Sequence, residues 1–159
     1  MKLINRDNVN SELVEILSKI LDGVLVDSPI DKIEKHLYKN KKFDPQTIST
    51  AYSWIYDKMI SNLEKISSGE IASVSVRIFS DDEIDLIGLD NYNRILKLMN
   101  AGLLNPIDID NILKSIELLP LDRISNEDLN FMVLASLFEI NHITLPGSRL
   151  LLYLSDKVN

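Results

Sequence analysis

The sequence predicts an all-α protein. It divides into two small helical units of about three helices each, plus a short C-terminal helix, joined by one short extended segment. Three observations carry this. Apolar residues recur at helical spacing over most of the 159 residues. Three cap-and-proline pairs, Ser28-Pro29, Asp44-Pro45 and Asn105-Pro106, read as helix starts. Only one stretch alternates with period two: Val74, Val76 and Ile78 on one face, Ser73, Ser75 and Arg77 on the other.

The first helix is expected to begin near Asn10 or Ser11, with Leu13, Ile16, Leu17, Ile20, Leu21 and Val24 inside and Gly23 as its stop. Ser28 is read as the cap of the second helix, which buries Ile30, Ile33 and Leu37 and leaves His36 half exposed. The turn Lys39 to Phe43 follows. Asp44 caps a long third helix reaching about Ile66, with the stripe Ile48, Ala51, Tyr52, Ile55, Met59 and Leu63; Ser67-Ser68-Gly69 ends it.

After the alternating stretch, Ser80 and Glu83 form a capping box, and Asp81, Asp82 and Glu83 suit the positive end of a helix. Gly88 divides that element and Gly102 ends it. Asn105-Pro106 opens a helix burying Ile109, Ile112, Leu113 and Ile116, closed by Pro120. Ser125 to Asp128 start a helix that is apolar nearly all round, hence central. A last helix is expected from Arg149 to about Asp156. Ser28-Pro29-Ile30-Asp31 and Asn105-Pro106-Ile107-Asp108 share a layout. That leaves open a duplicated three-helix unit or a recurrence of start chemistry.

The resulting organisation is an N-terminal three-helix unit over 1–69, an extended connector over 70–80 and a C-terminal helical unit over 81–159, within one compact domain. The connector needs partners for its backbone N–H and C=O groups. A solvated linker or a short two-stranded contact, with Ile143-Thr144-Leu145 as the internal candidate, is expected over pairing with another molecule.

Composition narrows the function. Apolar residues at 45% can fill a core, and no cysteine is present for disulfides, thiol chemistry or zinc. No apolar run is long enough for a membrane helix, and the N-terminus lacks a signal-peptide core. A cytoplasmic protein is expected. The net charge of −7 falls entirely after residue 66, so nucleic acid, if bound, is expected on the N-terminal half.

No catalytic or metal signature appears, and no cofactor is implied. The two histidines, His36 and His142, stand in no triad-like pattern. Asp108-Ile109-Asp110-Asn111 lacks the glycine and glutamate of a calcium loop. Lys39, Lys41 and Lys42 form the single basic cluster, in a turn between two helices. A solvated turn accounts for them; the alternative is a helix-turn-helix over residues 28–60 touching nucleic acid through those lysines. Trp54 and Tyr56 stand off the main stripe of the third helix. With Arg77 they are the candidate surface for an unidentified protein partner.

Three stretches resemble the Smg family of small bacterial proteins of undefined biochemical function. The first is SVSVRIFSDDE, at Ser75, Arg77, Ile78, Phe79, Ser80 and Glu83. The second is ILKLMNAGLLNPIDIDNILKSIELL, and the third SNEDLNFMVLASLFE. The resemblance is strongest from about residue 73 to 140. It implies no enzymatic activity and supplies no catalytic residues. One departure stands out: Asn130-Phe131 occupies a place where the family often has Lys-Trp.

Overall fold

The computed structural model describes residues 6–70, 77–120 and 122–138, with side chains from Ser11 to Leu137. These form seven helices and, among the described residues, no strand. They are α1 (Arg6–Leu25), α2 (Ile30–Lys39), α3 (Pro45–Ser67), α4 (Asp81–Ile87), α5 (Leu89–Asn100), α6 (Pro106–Glu117) and α7 (Asn126–Phe138). The alternating stretch lies outside the described residues up to Val76, as do Ile143 to Leu145 and the expected last helix.

α1 organises the packing. Leu13, Val14, Ile16, Leu17, Ile20, Leu21 and Leu25 are all buried. At 100° per residue they spread over about half the circumference, far wider than a stripe facing one neighbour. The helix therefore touches α2 and α3 on one side and α5 and α7 on the other. The buried apolar cluster runs from Leu13 through Ile55 and Ile95 to Leu137, so one core spans the residues before and after the connector.

Two local expectations about α1 give way to tertiary contacts. It starts by Arg6, before Asn10, and it does not stop at Gly23. That glycine sits inside the helix where α2 crosses: a Cβ there would stand 2.3 Å from Cδ1 of Ile33. Its role is close approach. The helix ends instead at Leu25, where Asp27 takes a left-handed φ of 58°. Lys97 of α5 donates to the Leu25 carbonyl at 2.8 Å and to the Asp27 carboxylate at 3.2 Å. A cation thus meets the negative end of α1.

The two similar starts are not equivalent. α2 begins behind Pro29 with no side-chain cap, so Ser28 does not cap it. α6 begins with a full capping box, Asn105 and Asp108 exchanging backbone and side-chain bonds. The two motifs share residue types, but their helices start in different ways. Other starts follow the chemistry of their caps. Asp44 accepts from Thr47 N–H at α3, Ser80 and Glu83 complete the box at α4, and Ser125 with Asp128 does so at α7. Gly88 separates α4 from α5 with φ 84° and ψ 152°, a conformation open essentially to glycine alone.

The stripe of α3 shifts in its second half. Leu63, expected inside, is 63% exposed, while Asn62 is 4% exposed. The reason is the α5–α6 turn, which arrives against α3 and brings a carbonyl that needs a donor. Asn62 Nδ2 donates to Gly102 O at 2.8 Å, and Asn62 Oδ1 accepts from Asn105 Nδ2 at 2.9 Å. Lys58 Nζ reaches Asp108 Oδ1 at 3.3 Å, with both side chains largely buried. Four polar side chains thereby lock α3 to the start of α6, each satisfied by another.

Replacing Asn62 by leucine should strand the Gly102 carbonyl and the Asn105 amide in an apolar setting, at a cost of about 2 kcal/mol in unfolding free energy. Urea denaturation of the Asn62→Leu variant measures it; an unchanged midpoint would show that the network does not hold the turn.

Candidate functional site

The outer face of α3 carries the most distinctive surface. Tyr56, Ile60 and Leu63 are 45, 52 and 63% exposed and stand at i, i+4 and i+7, so they form one line along the helix. They lie beside the buried stripe, and the α2–α3 junction continues the patch. Tyr52 is buried there, its hydroxyl donating to the Ile30 carbonyl at 3.4 Å. Tyr52 and Tyr56 rings are 6.3 Å apart. Burial, then the Glu34 carboxylate and the neighbouring Tyr56 and Tyr38, push the Tyr52 hydroxyl well above its ordinary range. Tyr38 of α2 is itself exposed. Asp57 and Glu64 project from the solvent side of the Tyr56–Leu63 line.

Trp54 and Tyr56 part company. Trp54 is half-buried against the core and lines a shallow groove of about 290 Å³ with Asp57, Lys58, Ser61 and Leu137. Tyr56 points to the opposite flank of α3, into the exposed line. Two residues adjacent in the chain thus face different surroundings, as 100° steps require.

Arg77 sits in a clamp. Its Nη1 and Nη2 donate to the two Glu83 oxygens at 3.0 and 2.8 Å, and its Nε donates to Asp110 at 2.8 Å. The guanidinium lies 4.5 Å from the Phe79 ring centroid, and Phe79 meets Tyr92 edge to face at 5.0 Å. The hydrogen bond to Glu83 stabilises the charged guanidinium, raising its proton affinity against the opposing effect of burial. Reciprocally, hydrogen bonds from Arg77 and then from the Ser80 N–H hold the Glu83 carboxyl below its ordinary 4.5. Arg77 therefore ties the end of the connector to α4 and α6. The expected alternation is reversed at this point: Ile78 is 87% exposed while Arg77 and Phe79 turn inward.

The lysine turn divides as well. Lys39, Lys41 and Lys42 are all exposed. Lys42 is already engaged, 2.7 Å from Glu15 of α1 and above the Phe43 ring. The start of α3 is lined by carboxylates: Asp44 receives Thr47 N–H, and Glu12 receives Asp44 N–H at 2.6 Å. Buried Phe43 anchors the turn.

The described residues contain no group of three or more His, Asp or Glu side chains arranged to hold a metal. None of their helices is long and apolar enough to cross a membrane.

The motif residues Arg77, Phe79, Ser80 and Glu83 thus act as one structural unit. A family model described as "Protein of unknown function (DUF494)" matches residues 16–155. The chain belongs to this family. Protein Smg homolog of Nitrosomonas europaea is 28% identical to it over 102 residues, covering 64% of this chain and 67% of that protein. The Smg resemblance read from residues 73–140 is borne out, and the family match reaches back into α1. Neither name states an activity. No solved structure matches. At Asn130-Phe131, where the resemblance implied Lys-Trp, Asn130 accepts from Arg94 at 3.0 Å and Phe131 is buried, so both positions make contacts.

Sequence reasoning did not find the Ile60–Leu63 line, because helical spacing assigned Leu63 to the core. The signal was available in Asn62: a polar residue next to Leu63 can take the inner place when a carbonyl must be met.

The clamp predicts an acid response. A carboxyl held below its ordinary value contributes stability that is full above 4.5 and is lost as pH falls through its depressed value. The melting-temperature gap between the native protein and Glu83→Gln should be widest at neutral pH and close as the pH drops below 4.5. A gap constant down the acid range would remove the charged pair as its cause.

Proposed function

We propose that the protein is a non-enzymatic cytoplasmic module that binds a protein partner through the outer face of α3. The observation that carries this reading is the exposed line Tyr56, Ile60 and Leu63. Solvent gains nothing from three large apolar side chains in register, whereas an amphipathic helix laid along them removes all three from water at once. Asp57 and Glu64 border the line, and the chain as a whole carries −7. The matching partner is an amphipathic segment with apolar residues on one side and Lys or Arg on the rim.

The test places a photo-crosslinking amino acid at position 60 in the native cells. One enriched protein with such a segment is expected, and its purified complex should weaken with salt. Ile60→Glu together with Leu63→Glu should cost about 2 kcal/mol of binding or more while far-ultraviolet dichroism stays unchanged. No enriched adduct, or a complex indifferent to both substitutions, removes the reading.

A second reading keeps residues 28–60 as a helix-turn-helix on nucleic acid. Exposed Lys39 and Lys41 favour it; the Asp44 and Glu12 carboxylates at the start of α3 oppose a phosphate there. In that case Lys41→Glu with Lys42→Glu lowers retention in low-salt filter binding, and no retention by the native protein eliminates it.

A further inference from the structure

We propose that the groove between α1 and α2 binds a small organic phosphate. The groove holds about 390 Å³, within the range of small-ligand sites. Lys19 comes from α1; Lys32 and His36, one turn apart, come from α2. Three potential cations therefore converge on one cleft of a chain whose net charge is −7.

The pattern of ion pairs leaves that charge uncompensated. Asp22 is the one carboxylate among the lining residues, and it faces Arg94 of α5 at 3.9 Å. Lys19, Lys32 and His36 have no carboxylate within 4.0 Å among the described residues. The other acids of α2 stand elsewhere: Asp31 and Glu34 fall on the flank toward α3, where Glu34 acts on Tyr52. α2 thus separates its charges, basic toward α1 and acidic toward α3.

The rest of the cleft suits more than a bare ion. Ile33 and Leu37 supply an apolar wall, and the Ser28 hydroxyl, which caps no helix, is a free donor at the rim. Two lysine ammonium groups and an imidazole N–H donor match a multiply charged oxyanion, since lysine binds phosphate as a point charge. The apolar wall then takes the organic part. This site lies on the flank of α2 away from the Tyr56–Leu63 line and does not depend on a protein partner there.

The test follows the His36 imidazole signals by nuclear magnetic resonance, with His142→Gln used to assign them. The probes are AMP, adenosine, inorganic phosphate and an oligothymidylate. AMP should shift His36 saturably and adenosine should not. Lys19→Glu with Lys32→Glu should weaken AMP binding about tenfold or more. Both positions are exposed; dichroism verifies the fold, and Lys19→Gln with Lys32→Gln replaces the pair if it fails. The proposal is overturned by an unmoved His36 signal or by equal affinity in the charge variants. It is also overturned by phosphate binding as tightly as AMP, which marks a bare-anion site. An oligothymidylate that binds far more tightly, through Lys35 and Lys39, would overturn it in favour of nucleic acid.

Discussion

The structure depends on α1 being apolar over about half its circumference. A helix with one narrow stripe can serve one layer; this one must be covered from two sides to hide Ile16, Leu17 and Ile20, all at 0% exposure. α2 and α3 supply one side, α5 and α7 the other. Most other packing follows. Gly23 lets α2 cross closely, Lys97 closes the C-terminal end of α1, and the apolar surface of α7 finds its cover deep in the molecule. Neither set of helices can leave without exposing side chains that α1 shares with both.

Apolar burial alone would not fix how the later helices sit on the earlier ones, because it has no direction. Two polar assemblies supply it. Asn62, Asn105, Asp108 and Lys58 join α3 to the start of α6 in a setting where an unmet partner is costly. Arg77, Glu83 and Asp110 do the same for the end of the connector at the surface. The contrast between them is exposure. The first group stands in low-dielectric surroundings and specifies a position. The second is partly solvated, and its strength lies in the paired geometry of guanidinium and carboxylate.

Fixing these joints leaves two helix flanks with surface chemistry of their own. α3 shows apolar side chains beside acids, and α2 shows bases toward α1. Each flank is a by-product of where the core lies: once Asn62 turns inward, Leu63 must turn out. The two proposed ligands, an organic anion and an amphipathic basic segment, would use different sides of the same pair of helices and so would not compete for one surface.

Much of the fold was legible before any contact was known. Cap chemistry is local, so Asp44, Ser80 with Glu83, and Asn105 marked helix starts correctly, and Gly88 marked a break that its backbone angles require. The uniform apolarity of α7 announced a central helix. Arg77 was singled out as a motif residue, but its engagement with Asp110, 33 residues away, was not readable. Local rules failed where another element intruded. Gly23 looked like a stop because glycine ends helices, yet α2 needed the space. Ser28 looked like a cap, yet Pro29 took the terminal place. Helical period put Leu63 inside, yet the Gly102 carbonyl called for Asn62. The sequence by itself determined which residues start, stop and fill helices, because those preferences act over a few residues. Only the tertiary structure decided which flanks face water and which charges meet. Those depend on atoms brought together from distant parts of the chain, and on the cost of leaving any of them unmet.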